Sequence, residues 1–351
     1  MDPQPNSANP APSSEQDGIL LPIPDPAESA RLLRRNALKG GADSDPDSSG
    51  FRSGFVGLIG RPNVGKSTLL NQLVGQKVAI TSPVAQTTRN RLRAILTTPK
   101  AQLVLLDTPG IHKPHHLLGE RLVKTARSAI GDVDVVLLLV DGSQPAGRGD
   151  AFIVELLRQC RVPVQIALNK HDLVEPQQAK ALATSYSELL ESHGEEPPLA
   201  WPLHPVSALT GEGTEALVEA LAAELPPGPH LYPADAVSDQ PEQLLLAELI
   251  REQVLSHTRE EVPHSVAVSI DRMVDDGPRI AVLATVLVER SSQKGILIGK
   301  GGRMLKTIGQ GARLQMEKLF SSPVYLELFV KVVPGWRRHS GRLNELGYRG
   351  E

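Results

Sequence analysis

The sequence predicts an α/β unit built on a mostly parallel sheet, followed by a smaller α+β unit. Three observations carry this. Short apolar runs alternate with helical stretches from residue 55 to residue 225. A proline-rich break, PPGPHLYPADAVSDQP, then fills residues 226–241. Beyond it the pattern changes to the order α-β-β-α-α-β.

The chain divides accordingly into a tail (1–52), a first unit (53–225), a linker (226–241) and a second unit (242–351). The tail is rich in Pro, Ser, Asp and Ala and lacks a sustained apolar period, so it is expected to be disordered. Within it, AESARLLRRNALK at residues 27–39 has the pattern of a short basic amphipathic helix able to lie on a surface. Asp2 and the eight acids of the tail argue against a secretory signal or an organelle transit peptide.

In the first unit, strands are expected at 55–59, 93–97, 102–106, 135–140, 164–168 and 204–206, and helices at 66–74, 119–130, 150–159, 176–192 and 214–224. Strand–helix alternation implies a sheet covered on both faces, with ligands at the C-terminal ends of the strands. In the second unit, a helix is expected at 242–258, strands at 264–273 and 279–289, two helices around a GKGG turn, and a closing strand at 324–332.

Composition excludes several classes. The longest apolar run, 133–140, is only strand-length and is interrupted by Asp134, so no membrane-spanning helix is expected. Aromatic residues make up 3% of the chain, so the cores must be built from Leu, Val, Ile and Ala. Cys160 is the only cysteine, which rules out an intramolecular disulfide and a cysteine-based zinc cluster and fits a reducing cytoplasm. The net charge of −3 hides a gradient: from 291 to 349 eleven Lys/Arg face three acids, a local +8 that suits a polyanionic partner.

The segment GRPNVGKS comprises Gly60, Arg61, Pro62, Asn63, Val64, Gly65, Lys66 and Ser67. It satisfies GxxxxGK[ST] between a strand and a helix, the context that a phosphate-cradling loop requires. The glycines let backbone N–H groups wrap phosphates, and the helix N-terminus adds positive dipole. Lys66 is expected to reach the β- and γ-phosphates, and Ser67 to ligate Mg²⁺.

Base identity rests on Asn169, Lys170, His171 and Asp172, which follow an apolar strand. The Asp172 carboxylate can accept from both N1–H and the 2-amino group of guanine. Adenine offers neither donor, and a site built on such hydrogen bonds discriminates strongly. Asn169 would hold the loop and contact N7, while Lys170 would lay its stem along the base. Ser207 and Ala208 follow the last strand, and the Ala208 amide is placed to donate to guanine O6.

Asp107, Thr108, Pro109 and Gly110 follow the third strand. Asp107 would hold Mg²⁺ through water, and the Gly110 amide would sense the γ-phosphate. Within QTTR (86–89), Thr88 is expected to complete the Mg²⁺ shell in the presence of GTP, while GDP would leave these loops to relax. Ile111 follows Gly110, where many such enzymes carry a water-orienting glutamine, so intrinsic hydrolysis is expected to be slow. The candidate catalytic groups are Lys66, Thr88 and Asn63. His112, His115 and His116 cluster in the next loop, but acidic partners at metal-binding spacing are missing.

The GKGG turn comprises Gly299, Lys300, Gly301 and Gly302. Such a turn admits close approach of a nucleic-acid backbone, beside a groove that takes about four nucleotides. Lys300, Arg303 and Lys306 would add phosphate contacts, and Ile296, Leu297 and Ile298 would form the groove floor. Trp336, with Arg337 and Arg338, either stacks on a base or packs the C-terminal segment onto the unit.

GRPNVGKS, QTTR, DTPG, NKHD and SAL, in that order over 60–209, resemble the five motifs of translation-factor-like GTPases. With the GKGG loop in its α-β-β-α-α-β setting, a type II KH pattern, and with VAITSPVAQTTRNR, LIGKGGRMLKTIG and the closing W…LGY, residues 53–349 resemble the Era family of bacterial ribosome-assembly GTPases. The resemblance implies a P-loop GTPase domain with a C-terminal KH domain, and a GTP/GDP cycle with Mg²⁺. It also implies binding of 16S rRNA near its 3′ end, small-subunit maturation, and peripheral association with the cytoplasmic face of the inner membrane. In GTPases with a hydrophobic residue at the Ile111 position, a P-loop asparagine, here Asn63, is associated with K⁺ near the β/γ bridge. The chain is expected to act as a monomer.

Two other readings are weaker. A GTPase that drives tRNA modification would carry a helical modification domain or a C-terminal cysteine, and neither appears. An RNA-binding module with a silent nucleotide site is opposed by intact Lys66, Ser67, Asp107, Asn169 and Asp172.

Overall fold

The computed structural model describes residues 50–82, 92–107, 133–191, 198–259, 262–275 and 277–339, with 131, 341 and 346 as single residues. The expected helix at 119–130, the basic segment 27–39, the QTTR segment, Thr108 to Ile111 and the three loop histidines lie outside the described residues.

The N-terminal half runs β1 (Arg52–Gly60), α1 (Lys66–Val74), β2 (Leu92–Thr97), β3 (Ala101–Asp107), β4 (Val135–Asp141), α2 (Arg148–Arg158), β5 (Val164–Asn169), α3 (Pro176–Glu191), β6 (Leu203–Pro205) and α4 (Thr214–Glu224). The six strands form one sheet in the order β2-β3-β1-β4-β5-β6. Only β2 runs antiparallel to its neighbour. The central strand β4 reads VVLLLVD and is buried along its whole length, as a strand covered on both faces must be. One face packs on Leu69 and Leu70 of α1 and Leu217 and Leu221 of α4. The other packs on Ile153 and Leu157 of α2 and Tyr186 and Leu190 of α3.

The C-terminal half runs α5 (Glu242–His257), α6 (Val262–Ser265), β7 (Ala267–Asp275), β8 (Ile280–Val288), α7 (Ser291–Ile298), α8 (Arg303–Phe320) and β9 (Val324–Val332). Its sheet order is β7-β8-β9, with β8 and β9 parallel. Burial alternates strictly along β8, because only one face of this sheet is covered by helices.

Three expectations need correction. Arg52, assigned to the tail, opens β1: its backbone pairs with Ala101, and its guanidinium donates to Leu225 O at 2.5 Å. The strand expected from 264 begins instead at Ala267. Residues Val262–Ser265 form a helical turn, in which Pro263 fixes φ near the helical value close to the N-terminus. Leu297, expected in the RNA groove floor, is fully buried in the core of the C-terminal half.

The proline-rich linker is not a free tether. The Gln102 side chain accepts from Leu231 N (2.7 Å) and Tyr232 N (2.9 Å) and donates to Tyr232 O (3.0 Å). Arg93 pairs with Asp239 at 2.7 Å, and Ile95 N donates to Val237 O at 3.0 Å. Ser238 bridges to Ala94 on β2. The linker therefore lies along the β2 side of the sheet and covers an edge that would otherwise expose unpaired backbone groups.

Candidate functional site

The loop from Gly60 to Lys66 lies at the C-terminal end of β1, between β1 and α1. Gly65 has φ +100°, and a Cβ there would come within 2.3 Å of Asn169 Nδ2, so only glycine fits. Asn63 is exposed and also left-handed, at φ +63°. Lys66 is 8% exposed and folds back on its own loop, donating to Gly60 O (3.1 Å) and Arg61 O (2.9 Å). Burial pushes its pKa down, against the opposing influence of the Asp107 charge. A phosphate arriving here would replace neutral carbonyl partners with full negative charge. Ser67 Oγ donates to Asp107 Oδ2 at 3.4 Å, and Asp107 is fully buried. A hydroxyl and a carboxylate are the hard oxygen donors that Mg²⁺ takes, so the pair fits that ion.

Asn169 ends β5 and joins two loops. Its Nδ2 donates to Val64 O at 2.7 Å, and its Oδ1 accepts from Ala208 N at 2.8 Å. The Ala208 amide is thus already engaged, and guanine O6 would share or displace that bond. Asp172 is exposed and is oriented by Ser207, whose Oγ donates to Oδ1 at 2.6 Å. Thr210 N donates to Ser207 Oγ at 3.1 Å in turn. His171 is half-buried, its Nδ1 3.6 Å from Glu212 Oε1.

Two supporting carboxylates were missed by the sequence reading. Asp141, at the C-terminal end of β4, accepts from Lys170 Nζ (2.6 Å) and Ser143 Oγ (2.6 Å). Burial raises its pKa, but these hydrogen bonds outweigh burial and hold it below the ordinary carboxylate value. Asp150 on α2 is 1% exposed and pairs with Arg61 Nε at 2.8 Å, which ties the phosphate loop to that helix. The available signal for Asp141 was its place at a strand C-terminus in an α/β sheet. Asp150 carried none, because its partner is 89 residues away.

The second candidate region is the turn between α7 and α8. Gly301 has φ +61°, and a Cβ there would meet nothing within 4 Å. Lys300, Arg303 and Lys306 are all exposed, and Arg303 and Lys306 share a face of α8 at a spacing of three. Ile296 is exposed and Ile298 half-buried, so the apolar surface beside the turn is narrower than expected. Trp336 is 1% exposed and donates Nε1–H to Ser265 O at 3.0 Å, packed with Ala267 and Leu346. It is a core residue and is not available to stack on a base. Arg337 pairs with Glu289.

Comparison with known proteins supports two functional units. Residues 55–170 match the family described as 50S ribosome-binding GTPase, and residues 261–337 match the KH domain family. GTPase Era of a Synechocystis species is 58% identical over 303 residues, covering 86% of this chain and 94% of that protein. GTPase Era of a Nostoc species is 59% identical over 302 residues, covering 86% and 91%. The crystal structure of Era in complex with MgGDPNP and nucleotides 1506–1542 of 16S ribosomal RNA is similar at TM-score 0.77 and 39% identity, over 86% of this chain and all of that one. A point variant of Aquifex aeolicus Era bound to GDP·AlF4⁻ matches at TM-score 0.77 and 38% identity, with the same coverage.

Proposed function

The chain belongs to the Era family of GTPases, and from that membership we propose that it binds GTP with Mg²⁺, hydrolyses it to GDP and phosphate, and uses the cycle to control a grip on the 3′ end of 16S rRNA during small-subunit assembly. The carrying observation is the Asn169 clamp. One side chain holds the phosphate loop at Val64 and the base loop at Ala208, so both halves of a guanine-nucleotide site are preassembled.

In this reading, Gly60 to Ser67 cradle the phosphates, Asp172 reads guanine, and Asn169 with Ala208 frames the base. Lys170 lies along the base with its charge neutralised by Asp141. Ser67, Asp107 and Thr88 hold Mg²⁺, which when bound supplies positive charge to the phosphate oxygens. Gly110 senses the γ-phosphate. The RNA lies against Gly299, Lys300, Gly301 and Gly302, with Arg303 and Lys306 on its phosphates. The domain boundaries fall near 53, 225 and 242. The protein works in the cytoplasm as a monomer. Among the described residues no helix is long and apolar enough to cross a membrane; peripheral contact with the inner membrane is the finer expectation that the resemblance carries. Crosslinking of the GTP-bound protein to total RNA tests the partner: contacts should map to the small-subunit 3′ end, and contacts confined elsewhere overturn it.

Ile111 cannot orient water, and Asn63 presents an exposed amide on the phosphate loop. We propose that K⁺ held beside Asn63 supplies the missing positive charge at the β/γ bridge. Replacing K⁺ with Na⁺ at constant ionic strength should slow GTP hydrolysis about tenfold, on the order of 1.4 kcal/mol in barrier. An unchanged single-turnover rate removes the ion from the mechanism.

A further inference from the structure

Glu252 lies on α5, in the C-terminal half, and its side chain is only 5% exposed. Among the described residues, three of the four hydrogen bonds to its carboxylate come from the N-terminal half. Lys77 Nζ donates at 2.5 Å, Thr81 N at 2.7 Å and Thr81 Oγ1 at 3.1 Å. The fourth comes from Gln315 Nε2 on α8, at 2.7 Å. Between Lys77 and Thr81 lies Ile80, 4% exposed and packed into the hydrophobic core of the C-terminal half rather than its own.

The same segment is held from the opposite side by the phosphate-loop helix. Asn71 on α1 accepts from Val78 N (2.9 Å) and Ala79 N (2.8 Å) and donates to Ala79 O (2.8 Å). A continuous set of contacts therefore runs from α1 through residues 78–81 to Glu252, and on to Gln315 of α8. Helix α1 begins at Lys66 and Ser67, and α8 begins directly after the GKGG turn. Seven residues beyond Thr81 in the sequence stands Thr88.

We propose that Glu252 is a positioning residue that couples the two halves: it holds residues 77–81 against α5 and passes the difference between GTP and GDP states to α8 and its GKGG turn. The proposal rests on the GTP-controlled RNA-binding reading above. Its physical basis is a polar joint of a kind that can break. One carboxylate collects four donors across two separate apolar cores, and among the described residues the buried Gln315 Oε1 atom has no hydrogen-bond partner. In this proposal the joint, held by one carboxylate and one plug residue, switches between a docked and a released arrangement, as coupling between distant sites requires.

The test uses the full chain and RNA of the sequence 1506–1542 of 16S rRNA. Affinity is measured with the protein saturated by a non-hydrolysable GTP analogue and, separately, by GDP. The wild type should show different affinities in the two states. Glu252→Gln keeps the shape of the side chain but removes its charge, and should shrink the ratio of the two affinities about tenfold, within the usual range of coupling. Lys77→Met, at a partly exposed position, and Gln315→Leu should each shrink it in the same direction, which keeps the test decisive if Glu252→Gln fails to fold. Affinity for the GTP analogue without RNA should change less than about twofold in all three, a pattern that general loosening of the fold would not give. Equal RNA affinities in the two wild-type states overturn the GTP-control reading itself. A wild-type difference that survives intact in the folded variants overturns the role of Glu252 alone.

Discussion

Asp172→Asn should weaken GTP binding roughly a thousandfold and make the protein prefer xanthosine triphosphate. The carboxylate is the acceptor for two guanine donors, and two hydrogen bonds to a charged group are together worth about 4 kcal/mol. An amide can donate to the C2 oxygen of xanthine, so the lost affinity reappears on the other base. The structure favours a clean exchange. Ser207 Oγ orients Asp172 through Oδ1 and is itself fixed by Thr210 N, and an asparagine retains that acceptor. Calorimetric titration with both nucleotides reads the outcome. Unchanged GTP affinity removes Asp172 from base recognition.

Gly301→Asp should cost about a hundredfold in affinity for the 16S 3′-end RNA while leaving GTP binding within twofold. The side chain enters open space, so the fold meets no clash. The residue keeps φ near +61°, a region that aspartate visits more readily than most residues. What changes is the turn's outer surface, where a new carboxylate would face RNA phosphates, and like charges brought together cost several kcal/mol. Fluorescence anisotropy with labelled RNA gives one number and nucleotide titration the other. Equal loss of both would mean that the two sites are not separable.

The parts of this molecule that were legible in the sequence are those governed by local rules. The run VVLLLVD had to be a strand covered on both faces, and it is. The phosphate loop and NKHD announced themselves because backbone geometry and base chemistry leave few alternatives at those spacings. What stayed hidden depends on partners far along the chain. Helix α5 reads EQLLLAELIREQVLSH, with charges spread round its circumference, and it is packing against β7 and α8, and for Glu252 also against Lys77 and Thr81, that buries Arg251 and Glu252. Leu297 sits one position from an exposed isoleucine, and the turn of α7 alone decides which of the two faces the core. Trp336 permitted two readings until Ser265 O was found to accept its N–H. The place of the linker on the sheet was hidden too, since a proline-rich composition names no partner. The better clue was Gln102, a polar residue within a buried strand that needed partners from somewhere.

That strapped linker also sets an order of events as the chain is made. Synthesis proceeds from the N-terminus, and domains generally fold as they emerge. Strand β2 and the Gln102 amide are finished long before residues 231–239, yet their remaining hydrogen bonds are with Leu231, Tyr232, Val237 and Asp239. Leu225, which roofs part of the first core, is also a late arrival. Strand β2 therefore waits through the translation of more than a hundred residues with its outer edge open, and that edge closes only when the first residues of the RNA-binding half are about to follow.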